Sequence, residues 1–264
     1  MSQTSLPFKV VIPARYGSSR LPGKPLKIIA GKPMIQWVYE NAQSAGADDV
    51  VVATDDQRIV SAVERFNGTA MMTAETHRSG TDRITEVATR KSWHADTIVV
   101  NLQGDEPGIQ ADLLRTVAGA LHQHTEAQIA TMATPITHAE DLFNPNVVKV
   151  VCDDNQLALY FSRAPIPWMR DEFKSDIVQN TRLPKDTTFL RHLGLYAYRV
   201  GALKQMSSAP PSDIELAESL EQLRAMSMGF RIHVSTIQQA PGHGVDTEAD
   251  LKRVSESMVN NDNV

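Results

Sequence analysis

Cysteine is nearly absent: Cys152 stands alone in a chain of 264 residues. No internal disulfide framework can form, and a reducing, cytoplasmic setting is expected. Long apolar runs are missing too, and the amino terminus MSQTSLP has neither the charged start nor the apolar continuation of a secretion signal, so membrane insertion is not expected. The formal net charge is −5, and no long basic face follows the first loop, which argues against general nucleic-acid binding. Two familiar phosphate motifs are lacking as well. A Walker A loop needs four residues between its glycines and a hydroxyl after its lysine, whereas Gly17 and Gly23 enclose five and Lys24 precedes Pro25. No GxGxxG turn occurs either.

The most informative absence is local. Between Lys9 and Lys32 there are six basic residues and no acid, although the whole chain is acidic. An anionic ligand is the economical reading of charge concentrated in this way. The stretch FKVVIPARYGSSRLPGKPL opens as a buried strand and becomes a loop in which Arg15, Arg20 and Lys24 are placed to grip a triphosphate through their side chains. An ordinary basic surface loop is the alternative. Further along, apolar strands alternate with helical periods: a helix from Pro33 to Ala45 closed by Gly46, the strand DDVVVAT, the helix QRIVSAVERF and the strand TAMMT. Such a β-α-β-α-β order predicts a mostly parallel α/β sheet with helices on both faces, and ligands bind beyond the carboxyl ends of its strands. Asp55 and Asp56 stand where capping explains them.

DTIVVNL has the unbroken apolar character of a central strand and runs into Gln103, Gly104, Asp105, Glu106 and Pro107. A carboxylate at a strand end is costly to bury unpaired, so Asp105 is the first choice to face magnesium, with Glu106 shaping the loop. A solvated turn is the alternative. Asp246, in GHGVDT, follows the last core strand FRIHVSTI, so a parallel sheet can bring it to the same edge and the two aspartates could share the metal. From Asn144 the character changes to a hairpin, VVKVV and LALYFSR, with FLRHLGLYAYRV as its third strand. The expected organisation is a nucleotide-binding core over 1–136, an antiparallel insertion over 137–200 that leaves the main sheet and offers an apolar surface for homodimer pairing, and a return to the core over 201–264. Within the last part, Ser212 to Met226 reads as one helix with a capping box and a buried stripe of Leu216, Leu220 and Leu223. His122, His124 and His138 have no carboxylate cluster near them and read as surface residues.

IPARYGSSRLPGKPL, SGTDR, NLQGDEP, FNPNVVKVV, ALYFSRAPIPW, FLRHLGLYAYR, LEQLRA and GVDT together resemble the cytidylyltransferases that activate acidic sugars, above all those acting on 3-deoxy-D-manno-octulosonate (Kdo). The likeness covers nearly the whole chain. It implies a Rossmann-like nucleotidyltransferase fold, Mg²⁺ as cofactor, and transfer of CMP from CTP to the anomeric hydroxyl of Kdo. By the same resemblance Ala14, Arg15, Arg20, Lys24, Ser79, Gly80, Thr81, Arg83, Gly104 and Asp105 hold the nucleotide. Gln103, Arg163, His192, Tyr196, Glu221 and Gln222 bind the sugar. Lys24, Arg15, Arg20, Asp105 and Asp246 form the catalytic set, with the metal on Asp105 and Asp246. Arg78 and the segment from Arg170 to Asp186 depart from the family pattern. Sialic acid or an amino-substituted Kdo is the alternative acceptor. A nucleotide-binding module without turnover is the alternative outside enzymes.

Overall fold

The computed structural model describes residues 6–17, 20–77, 79–173, 183–184, 187–238, 242 and 244–261. Arg78, and most of the segment 170–186, lie outside the described residues.

Apolar strands and amphipathic helices alternate through the first half. β1 (Lys9–Ala14) leads through the basic loop and one 3-10 turn, Lys24–Leu26, to the small ladder of β2 (Ile28–Ile29) and β3 (Lys32–Pro33). There follow α1 (Met34–Ser44), β4 (Asp49–Thr54), α2 (Gln57–Arg65), β5 (Ala70–Met72) and α3 (Gly80–Arg90). Next come β6 (Ile98–Asn101), α4 (Ala111–Gln123), β7 (Ile129–Pro135) and α5 (Ala139–Phe143). The second half contains β8 (Lys149–Cys152), β9 (Ala158–Ser162), β10 (Leu190–Arg199), α6 (Val200–Ser208), α7 (Asp213–Glu218), α8 (Gln222–Ser227), β11 (Ile232–Thr236) and α9 (Glu248–Asn261).

The main sheet runs β11-β7-β10-β6-β1-β4-β5, and every pairing along it is parallel except those of β10. Strand alternation feeds two apolar layers. Val10, Ile12 and Ala14 of β1 pack with Ile35 and Val38 of α1 and Leu114 of α4, while Val11 packs with Ile84 and Val87 of α3 and Leu203 of α6. Helices therefore cover both faces, as expected of a largely parallel sheet.

Two expectations are corrected. FLRHLGLYAYR does not stay with the hairpin: β10 lies in the middle of the main sheet, antiparallel to β6 and β7, and only its first residues continue outward to pair with β8. The reason is burial, since Tyr196, Ala197 and Tyr198 are all enclosed and need cover on both faces. Nor is the stretch from Ser212 to Met226 one helix. The capping box of Ser212 and Glu215 forms, but the chain turns at Ser219, whose φ of 52° is left-handed, and Leu216 is 64% exposed while Leu220 and Leu223 are buried.

Candidate active site

At the end of β1 the loop folds back on itself. Gly23 has φ 67° and donates its N–H to the Tyr16 carbonyl at 3.1 Å; a Cβ there would stand only 3.1 Å from the Tyr16 ring. The Arg58 guanidinium covers that ring at 3.3 Å from its centroid. A side chain at position 23 would be strained by both backbone and space, and the doubled loop is what turns Lys24 inward.

Two other strand ends meet this loop. A Cβ on Gly104 would come within 3.0 Å of the Pro13 carbonyl oxygen, so glycine lets the turn after β6 lie against the end of β1. Val245 then donates its N–H to the Asp105 carbonyl at 2.8 Å, which ties the segment after β11 to the same turn and sets Asp246 beside Asp105. Lys24 Nζ lies between them, 2.7 Å from Asp105 Oδ2 and 3.0 Å from Asp246 Oδ1, and Arg20 reaches Asp246 Oδ2 at 3.1 Å. Burial weakens the Lys24 charge, yet its bonds to Asp105 and Asp246 outweigh that and hold its pKa above the usual lysine value. Asp246 is held below the ordinary carboxylate range, chiefly by Lys24 and further by Arg20. Glu106 goes the other way: burial, with Asp105 and Asp246 nearby, pushes it up to about 7.

The cavity around this cluster has a volume of about 340 Å³. Ala14, Arg15, Arg20, Lys24, Ser79, Gly80, Arg83, Gln103, Gly104, Asp105 and Asp246 line it, together with His77, which sequence reading had not assigned. Arg15 is exposed and has no side-chain partner among the described residues. Ser79 caps α3, accepting from the Asp82 N–H at 3.2 Å, and the start of that eleven-residue helix borders the cavity, where helix amides favour an anion. Arg83 is a different case. Its guanidinium is buried against Asp55, at 2.7 Å, and Thr73, while the residue also borders the cavity.

The residues expected at the sugar fall into two groups. Glu221 accepts a 2.6 Å hydrogen bond from Thr81 Oγ1 at the start of α3, which also means that the Thr81 hydroxyl is engaged. Tyr196 pairs across the sheet with Asn101, whose Oδ1 accepts from Gln103 Nε2 at 3.3 Å. The Tyr196 hydroxyl and Gln222 Nε2 are buried without a hydrogen-bond partner, an arrangement that asks for a polar ligand. His192 packs against Tyr196, with centroids 5.3 Å apart, but burial drives its pKa down to about 3, so it is a neutral imidazole and not a cation for a carboxylate. Arg163 is not in this group. Its guanidinium donates through Nε to the carbonyl of Glu218 at 2.7 Å and through Nη1 to that of Pro145 at 2.9 Å. A cation that sequence reading missed, Arg191, lines a neighbouring cavity of about 140 Å³ with Gln103, Glu106 and His192.

Asp105 and Asp246 are two hard oxygen donors around one positive centre, and no group of three or more His, Cys, Asp or Glu side chains gathers as a metal site among the described residues. Two carboxylates completed by phosphate oxygens and water are a donor set that magnesium takes. The residues fit the ion.

Comparison with known proteins gives consistent results. A family model described as cytidylyltransferase matches residues 9–232. The 3-deoxy-manno-octulosonate cytidylyltransferase of Pseudomonas fluorescens is 57% identical over 247 residues, 94% of this chain and 96% of the relative. The protein of the same name from Idiomarina loihiensis is 53% identical over 246 residues, covering 93% of this chain and 96% of its own. Among solved structures, CMP:2-keto-3-deoxy-manno-octonic acid synthetase complexed with CTP superposes with a TM-score of 0.86 at 45% identity, covering 97% of this chain and 99% of that one.

Proposed function

The chain belongs to the cytidylyltransferase family, and from that membership we propose how its cleft divides the work. It is a nucleotidyltransferase that transfers CMP from CTP to Kdo, with pyrophosphate as the other product. The observation that carries the assignment of residues is the Lys24 ammonium held between Asp105 and Asp246, beside Arg20 and Arg15 in one cavity.

A nucleoside triphosphate brings about four negative charges, and phosphoryl transfer depends on neutralising them and aligning nucleophile with leaving group. Arg15 and Arg20 hold the outer phosphates and ease the departure of pyrophosphate. Lys24 leaves its two aspartates for oxygens at the α-phosphate as the nucleotide enters. The amides at the start of α3 receive a further part of the nucleotide. Asp105 and Asp246 hold magnesium, which when bound neutralises phosphate charge and lowers the pKa of a coordinated hydroxyl. Tyr196 and Gln222 turn their unpaired polar atoms to the sugar, with Glu221 and Gln103 as neighbouring partners for its hydroxyls. The new bond joins the anomeric oxygen to the α-phosphorus while the bond to the bridging oxygen of the β-phosphate breaks.

The chain acts as a homodimer in this reading, with exposed Leu159 on β9 and Ile214 and Leu216 on α7 offering apolar surface to a second copy. Light scattering that returns a monomer at micromolar concentration counts against it. Consumption of CTP, a metabolite of the cell interior, and the single cysteine support a cytoplasmic location in lipopolysaccharide synthesis, to which Kdo belongs. No described helix is long and apolar enough to cross a membrane.

One assay tests the whole: pyrophosphate release with each of the four nucleoside triphosphates, with and without Kdo, in magnesium or chelator. Release that needs CTP, Kdo and magnesium together is the expected result. Release without the metal removes Asp105 and Asp246 from the role given to them.

A further inference from the structure

The break between α7 and α8 lies beside Glu218, which borders none of the cavities described above. In a continuous helix the Glu218 carbonyl would accept from the N–H of Gln222. Instead it accepts from Arg163 Nε at 2.7 Å, and the Glu218 carboxylate takes the Ser162 hydroxyl at 2.6 Å and the Arg163 N–H at 2.9 Å. The end of β9 is held from below as well, because buried Lys149 donates to the Arg163 carbonyl at 2.6 Å. Against this anchored strand end the chain reverses at Ser219, φ 52° and ψ 49°, a conformation uncommon for a residue other than glycine. Immediately after the reversal, Glu221 meets Thr81 and Gln222 is buried with Nε2 unpartnered.

We propose that Glu218 is a positioning residue for sugar recognition: by gripping the end of β9 with both its carboxylate and its carbonyl, it keeps Ser219 left-handed and so aims Glu221 and Gln222 into the cleft. This rests on the reading that Glu221 and Gln222 face the sugar. Were the grip lost, Gln222 could rejoin the helix of residues 213–218, and the roughly 100° turn per residue of an α-helix would carry the pair away from Thr81. On the nucleotide side, built on β1, β6 and the start of α3, only the Thr81 hydroxyl would lose a partner.

The test uses the full-length enzyme with CTP, Kdo and magnesium. Glu218→Ala is expected to raise KM for Kdo about tenfold or more while KM for CTP moves by less than about twofold, since only an interaction outside the nucleotide site is lost. Adding Ser219→Gly should recover about threefold of that loss, because glycine takes the left-handed conformation without the Cβ penalty. Glu218→Gln keeps an acceptor for Ser162 and should fall between the wild type and Glu218→Ala; it also serves if the alanine variant does not fold. A KM for Kdo unchanged in both Glu218 variants overturns the proposal. So does a loss in Glu218→Ala that glycine at 219 fails to recover, or that appears equally in both KM values together with a lower thermal midpoint, since that is general destabilisation. Glu221→Gln and Gln222→Ala separate the two levels. If these leave KM for Kdo unchanged, the sugar reading itself fails; if they raise it while the Glu218 variants do not, only the role of Glu218 falls.

Discussion

Thr81 donates a 2.6 Å hydrogen bond to Glu221, 140 residues further along the chain, and thereby joins the start of α3 to the corner between α7 and α8. A hydroxyl bonded to a carboxylate is among the stronger neutral-to-ion contacts, worth about 1.5–3 kcal/mol. Thr81→Val keeps the shape and removes the donor. Its kcat/KM should fall by about tenfold to a hundredfold, an amount that follows from that energy. Steady-state kinetics with Kdo varied will show it, and an unchanged value would mean that the contact holds nothing in place.

The two carboxylates around Lys24 make a second case. Asp105→Asn or Asp246→Asn should lose turnover by at least about a hundredfold while keeping a wild-type circular dichroism spectrum, as for removal of an electrostatic group from a preorganised site. Pyrophosphate release and spectra on the same preparations check both halves. Full activity in either variant would end the metal assignment.

Lys24→Met exposes the same pair to each other. Without the ammonium, the carboxylates repel, and stability should drop by about 1–3 kcal/mol, between the values for exposed and buried pairs. Magnesium should then raise the thermal midpoint of Lys24→Met more than that of the wild type, because it replaces the missing cation. Equal shifts in the two proteins would show that the ion does not enter between Asp105 and Asp246.

Arg83, assigned by resemblance to the nucleotide, is buried against Asp55 and Thr73. Arg83→Met leaves Asp55 uncompensated and should cost about 3 kcal/mol of stability, as when one partner of a buried pair is removed. Denaturant unfolding measures it. A normal midpoint combined with weak CTP binding would return Arg83 to phosphate contact.

Acid should unfold the protein in a defined window. His233 is buried with both ring nitrogens unpartnered, and its pKa is pushed down to about 4 by burial and by His124 stacked on it at 3.9 Å. His192 is lowered to about 3 by burial. Unfolded histidines bind a proton near 6.5, so the unfolded state gains as pH falls below that value, and the loss levels off only once the folded imidazoles protonate near 4 and 3. His233→Phe should flatten the decline of the midpoint between pH 6.5 and 4 by up to roughly 3 kcal/mol, the worth of its shift. A slope identical to that of the wild type would place His233 in contact with water.

Much of this was legible in the residues. The basic loop, the turn at Asp105 and the distant Asp246 were read from charge and apolar pattern, and the sheet brings them together because strand ends on one edge are set by topology. The capping of α2 by Asp56 followed from residue type. What was not legible had long-range causes. Arg83 and Arg163 were assigned by resemblance, and their partners in the fold, Asp55 and Glu218, are fixed only by tertiary packing. The break at Ser219 is invisible to helical periodicity because Leu216, Leu220 and Leu223 keep the spacing that a continuous helix would have. β10 was read as part of a hairpin because its aromatic, branched composition suits any strand, and only burial on two faces distinguishes a central one.

That reversed strand divides the cleft by direction of travel. In the reading proposed above, Arg15, Lys24 and Asp105 meet the nucleotide from chain ends leaving the sheet, whereas Tyr196 meets the acceptor from a strand that runs the other way. Acceptor choice is therefore shared between that strand and the corner at Ser219, while the phosphate loops lie on other segments.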